Sequence, residues 1–126
     1  MSNRFIILWL DDTRDPNDPK WLSYIVKKSK VTEDFRIIWL KSYKDFADYL
    51  EHEILPDFIF FDHDLGDTSE DEKTGYSCAK LLVEYYMNNK MPVPGFEIQS
   101  SNPAGADNIR GLLTNYKKFY YENYSK

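Results

Sequence analysis

The chain has 126 residues, which at about 100–150 residues per domain makes one compact domain, residues 1–126, able to bury roughly two thirds of its unfolded surface. Its 16 basic and 21 acidic residues leave a net charge of −5, and no basic run is longer than Lys-Lys, which argues against non-specific duplex DNA binding. Aromatic side chains, 10 Tyr, 8 Phe and 3 Trp, are too abundant for a disordered chain and point to a well-packed interior.

The first element is "FIILWL" (5–10), an apolar run of six residues that reads as a buried strand. It is too short for a signal-peptide core or a membrane span, so a cytoplasmic protein without membrane contact is expected. "DDTRDP" follows, with Asp11 and Asp12 at the strand end and Arg14 just beyond them. Arg14 is the best candidate for a guanidinium that reaches a ligand phosphate, the alternative being a surface salt bridge to Asp15 or Asp18. "PKWLSYIVKKSK" (19–30) starts with Pro and ends basic, as a helix does. "FRIIWLK" (35–41) is a second buried strand, and "SYKDFADYLEHE" (42–53) a helix with Ser42 and Asp45 at capping-box spacing. His52 reads as an ordinary helix-end histidine.

"DFIFF" (57–61) is the third strand, and "DHD" (Asp62, His63, Asp64) closes it. His63 and Asp64 are candidates for proton transfer, although alternation along an extended chain turns the His63 ring away from the Asp62 side. "GDTSEDEKTG" (66–75) predicts a long, mobile loop, in which Asp67 serves as a turn cap, as Asp15 and Asp18 do earlier. "TGYSCAKLLVEYYMNN" (74–89) places Tyr76, Ala79, Leu82, Val83 and Tyr86 on one helical stripe. The single cysteine, Cys78, lies inside this helix, so neither a disulfide nor a thiolate site is available, and a structural role is expected.

"GFEIQSS" (95–101) is more polar and reads as an edge strand. Beyond it, Ser100, Ser101 and Asn102 offer side-chain donors before a Pro-started helix, an arrangement suited to a phosphate and equally to plain N-capping. The last helix, 103–124, carries Ile109, Leu112, Leu113, Tyr116 and Tyr120 on one stripe, and its "YKKFYYENY" end offers aromatic rings for a homodimer or partner surface.

The order β-α-β-α-β-α-β-α defines a three-layer α/β fold: a flavodoxin-like parallel sheet of about four strands, order 2-1-3-4, with helices on both faces. In such sheets ligands bind beyond the carboxyl ends of the strands, where Asp11, Asp12 and Asp62 would converge. Gathered carboxylates repel unless a cation sits among them, and Mg²⁺ or Mn²⁺ suits these oxygens. The reading needs Asp12 and Asp62 to be close together and not tied up with Lys or Arg.

The motifs "ILWLDDTRDP", "PDFIFFDHDLGD", "GYSCAKLLVEYY" and "SSNPAGADNI" together resemble the receiver domain, and in particular its stand-alone branch, the cyclic-phosphate processing receiver-like domains. In that resemblance Asp11 and Asp12 match the acid pair, Asp62 the phospho-acceptor, and Ser100 or Ser101 the hydroxyl. It implies action on a cyclic phosphate of a nucleotide or RNA end. Two departures stand out. A receiver's fifth strand, which ends in Lys, is missing: the only later lysines are Lys117, Lys118 and Lys126. Gln99 stands where relatives often carry His, and an amide cannot transfer a proton. The expected function is therefore a Mg²⁺-dependent phosphoester-processing enzyme, or alternatively a non-catalytic receiver-like module that binds a phosphorylated ligand or a protein partner.

Overall fold

The computed structural model describes residues 4–52 and 54–124; residues 1–3, 53, 125 and 126, Glu53 and Lys126 among them, lie outside it. Four parallel strands, β1 (Phe5–Leu10), β2 (Phe35–Leu40), β3 (Phe58–Phe61) and β4 (Gly95–Ile98), form one sheet in the order β2-β1-β3-β4. They alternate with α1 (Pro19–Ser29), α2 (Tyr43–His52), α3 (Gly75–Asn88) and α4 (Pro103–Asn123).

Successive strand residues face opposite sides of the sheet, so unbroken apolar runs supply two cores at once. Leu8, Leu10, Ile59, Phe61 and Ile98 pack with Phe46, Leu82, Ile109 and Leu113 from α2, α3 and α4. On the other face Ile7, Trp9 and Phe60 pack under Ile25 of α1, with Trp21 and Tyr24 closing around them. The Trp9 ring lies 5.4 Å from Phe60 and 5.8 Å from Trp21. Each fully buried large side chain of this kind contributes about 1.5–3 kcal/mol. The α3 stripe is buried at Ala79, Leu82, Val83 and Tyr86, and Cys78 joins it as a core side chain. The α4 stripe is buried at Ile109, Leu113 and Tyr116, while Phe119, Tyr121 and Tyr124 remain exposed.

Two local expectations are corrected. The last strand ends at Ile98, not at residue 101: Gln99 N still donates to Phe61 O at 3.0 Å, but Ser100 Oγ then takes Asn102 N at 3.0 Å and turns the chain into α4. At the start of α2, Ser42 Oγ accepts from Asp45 N at 3.1 Å, yet the Asp45 carboxylate reaches back to Lys41 N at 3.2 Å instead of closing the box on Ser42. A full capping box forms at α3, between Thr74 and Ser77.

Candidate functional site

The register of the sheet builds the site. Leu10 pairs with Phe61, and Phe61 with Ile98, so the strands end level and the next residues fall in one row. The ladder extends through that row: Asp62 N donates to Leu10 O and Gln99 N to Phe61 O, each at 3.0 Å. Asp11, Asp62 and Gln99 thus emerge side by side at the carboxyl end of the sheet, and all three are buried.

Oxygens of Asp11, Asp12 and Asp62 lie within 4.8 Å of one another. Asp11 is fully buried and every bond it makes is local to the mouth: Oδ1 accepts from Thr13 N at 3.0 Å and Arg14 N at 2.9 Å, while Oδ2 accepts from Arg14 Nη1 at 3.0 Å and Gln99 Nε2 at 3.5 Å. Asp12 is half-buried and is met by Gly66, whose φ of +71° favours glycine and where a Cβ would stand 3.0 Å from Asp12 Oδ2. Burial, and then the Asp11 charge, push the Asp62 carboxyl up to about 6, against the opposing pull of Arg14.

Hard oxygen donors at this spacing suit a small divalent ion, and two observations say that the charge is not balanced from within. Burial beside the Asp11 charge raises the Asp62 carboxyl above its ordinary range, and Gln99 Oε1, in a side chain only 8% exposed, has no hydrogen-bond partner among the described residues. Asp11, Asp12 and Asp62 could hold Mg²⁺ or Mn²⁺ between them.

Arg14 does not reach outward to a surface partner. Its Nη1 lies 3.0 Å from Asp11 Oδ2, 3.7 Å from Asp62 Oδ2 and 3.1 Å from Gln99 O, and its guanidinium carbon stands 5.2 Å from the Trp21 ring centre. The acids therefore converge as the sequence requires, but Asp62 has the arginine partner that the sequence reading excluded. Asp15 and Asp18 do what turn residues do: Asp15 accepts from Asn17 N at 2.8 Å, and Asp18 caps α1 through Lys20 N at 2.9 Å. Two indoles pin the acid turn from the strands, Trp9 Nε1 donating to Arg14 O at 2.8 Å and Trp39 Nε1 to Asp11 O at 2.7 Å. Sequence reasoning missed both, although a buried indole N–H usually finds an acceptor.

His63 turns to the α4 side. Its ring packs against Gly105, where a Cβ would lie 2.3 Å from Cγ, and its Nδ1 is 2.8 Å from Asp64 Oδ1 and 3.4 Å from Asn102 Nδ2. The His63 hydrogen bond holds the Asp64 carboxyl below its ordinary range. Asn102 caps α4 by accepting from Gly105 N at 3.0 Å, Ser100 is half-buried beneath it, and Ser101 is exposed. The rim around the acids is thus made of Arg14, the end of β4 and the first turn of α4. Asp67 accepts from Ser69 N, Ser69 Oγ and Lys73 N at 2.7–2.9 Å, which sets its carboxyl at about 2 and makes it the organiser of the β3–α3 loop. Lys117 lies on α4 beside Phe58 and Gly95, at the opposite ends of β3 and β4 from the acids. Burial pushes the Cys78 thiol up to about 12, far from thiolate chemistry.

A four-stranded parallel sheet in this order, with an acid row at its carboxyl end, matches the receiver/flavodoxin-like fold. The family model for the cyclic-phosphate processing receiver domain matches residues 6–115, and the chain belongs to that family. Among solved structures, it resembles the phosphorylated cyanobacterial phytochrome response regulator RcpA, with a TM-score of 0.53, 12% identity, and 94% of this chain and 93% of that chain covered. It also resembles a fusion carrying amino acids 181–211 of the yeast Spc42 trimeric coiled coil, with a TM-score of 0.56, 16% identity, and 98% and 80% covered. At these identities the likeness is one of fold. No curated protein sequence matches the chain. Among the described residues, no helix is long and apolar enough to cross a membrane.

Proposed function

We propose that the protein is a divalent-metal-dependent phosphoester-processing enzyme that opens a cyclic phosphate on a nucleotide or RNA end. The observation that carries this reading is the meeting of Asp11, Asp12 and Asp62 within 4.8 Å, on a rim shared with the start of α4. Bound Mg²⁺ or Mn²⁺ would polarise the phosphoryl oxygens and favour attack by water. Arg14 supplies a planar cation for a phosphoryl oxygen, and the Ser100 and Ser101 hydroxyls and the Asn102 amide line the approach. Ring opening forms one P–O bond from water and breaks one to the sugar, so a proton must leave the water and another must reach the released alkoxide. We assign that proton to His63, which Asp64 orients through Nδ1 and whose Nε2 has no protein partner among the described residues.

The test is incubation with 2′,3′-cyclic nucleotides and with RNA ending in a cyclic phosphate, with Mg²⁺ or Mn²⁺, followed by separation of the products. Turnover that is lost in Asp62→Asn supports the enzyme; turnover equal in the two proteins removes it. One observation favours a second reading, a module that binds a phosphorylated ligand without changing it: the buried side chain that touches Asp11 is Gln99, which cannot exchange a proton. Saturable binding of a cyclic nucleotide with no product would favour that reading.

A further inference from the structure

We propose that Arg14 is a displaceable internal counter-ion, so that a divalent ion and an anion bind this mouth with positive coupling through that one side chain. The inference rests on the metal site proposed above and adds how it is gated. Asp11 Oδ1 is committed to two backbone N–H groups, those of Thr13 and Arg14. Oδ2 is the oxygen of Asp11 that faces Arg14, the guanidinium that also partners Asp62, and it is already shared by Arg14 Nη1 and Gln99 Nε2. A divalent ion that takes Asp11 as a ligand must therefore take Oδ2 from Arg14, because two cations a few ångströms apart on one oxygen repel. The same Nη1 faces Asp62 Oδ2 at 3.7 Å, so displacement frees both acids together.

Arg14 has somewhere to go. Its Nη1 already bonds Gln99 O at 3.1 Å, the carbonyl directly before Ser100, so a short outward swing puts the guanidinium at the Ser100–Asn102 rim with its charge uncompensated. An oxyanion arriving there finds a planar donor that the acids no longer occupy. The independent sign that a ligand belongs in the mouth is Gln99. Its Nε2 is fixed by Leu10 O at 3.1 Å and by Asp11 Oδ2 at 3.5 Å, which leaves Oε1 of the same amide buried as an acceptor with no donor among the described residues. A donor brought in with the ion would satisfy it.

The experiment is calorimetric titration of the full chain with Mg²⁺ alone at pH 8, and again in excess inorganic phosphate, for the wild type, Arg14→Gln and Arg14→Lys. Phosphate should tighten Mg²⁺ binding to the wild type by at least about fivefold, and by linkage Mg²⁺ should tighten phosphate equally. Arg14→Gln should bind Mg²⁺ alone at least about fivefold more tightly than the wild type, and its coupling should fall to within about twofold of none. Arg14→Lys, which keeps the charge, should keep the weaker Mg²⁺ binding and part of the coupling. In addition, Trp21 fluorescence, taken as the difference from Trp21→Phe, should change when Mg²⁺ binds the wild type and stay constant in Arg14→Gln, since the guanidinium lies over that ring. Equal or weaker Mg²⁺ binding by Arg14→Gln, with its thermal unfolding intact, overturns the displacement, and coupling that survives in that variant overturns the anion arm. A wild type that binds no Mg²⁺ overturns the metal site itself, a result distinct from either.

Discussion

Gly105 decides where His63 sits. With hydrogen in place of a side chain, the first turn of α4 closes onto the imidazole, and a methyl group there would stand 2.3 Å from the ring. Gly105→Ala should therefore push the ring out of line with Asp64 and Asn102, at a cost of about 1–3 kcal/mol for overpacking. Denaturant unfolding measures that cost; activity that falls with it, to the level of His63→Ala, would mark the ring's position as functional, and full activity would remove His63 from the chemistry. The opposite case is Cys78, where burial alone governs. Its thiol should stay unreactive toward Ellman's reagent in the native protein and react fully after unfolding in guanidinium. These residues also show how far single positions could be read. The three acids were legible because charge directly after an apolar strand is hard to explain otherwise. The inward turn of Arg14 was not, since its bond to Gln99 O joins residues far apart in sequence that only the sheet brings together.

At the scale of elements, hydrophobic runs and helix stripes were enough to place four strands and four helices in order, and β1 has the bounds its apolar run implies. What local pattern missed lies at strand ends, where tertiary bonds decide. The acid turn after β1 is held by two indoles, Trp9 of β1 itself and Trp39, which reaches it from the neighbouring β2. Trp39→Phe keeps an aromatic side chain but removes the indole donor to Asp11 O and some packing, so it should cost at least about 1 kcal/mol of stability. It should also weaken Mg²⁺ binding in a titration, because Asp11 would lose its fixed position; unchanged affinity would show that the turn holds itself. The β3–α3 loop depends in the same way on Asp67, whose three bonds span Ser69 to Lys73. Asp67→Ala should expose Glu70 and Glu72 to faster cleavage by a glutamate-specific protease, while the helices keep their circular dichroism.

For the whole molecule, the acid row sets stability against function. Asp62 has its carboxyl raised from 3.8 to about 6, so the folded state holds this proton more tightly than the unfolded chain does. The resulting stabilisation is complete below about pH 4 and is lost as pH rises through 6, and at 1.36 kcal/mol per unit it amounts to about 3 kcal/mol. Asp67 acts in the other direction, its carboxyl lying at about 2, so its contribution disappears only below pH 4 and leaves the interval from 4 to 6 to Asp62. In a divalent-free buffer the melting temperature of the wild type should thus fall between pH 4.5 and 7.5, whereas Asp62→Asn, neutral throughout, should lose most of that slope and melt about 5–10 °C higher at pH 7.5. Mg²⁺ at pH 7.5 should raise the wild type by binding the native state, as ln(1 + [Mg²⁺]/Kd) requires, and leave Asp62→Asn nearly unmoved. The two responses share one cause, negative charge collected at the end of the sheet and only partly neutralised by Arg14. If Asp62→Asn melts lower than the wild type without Mg²⁺, the buried carboxylate is satisfied by the protein itself, and the case for an ion among these acids falls with it.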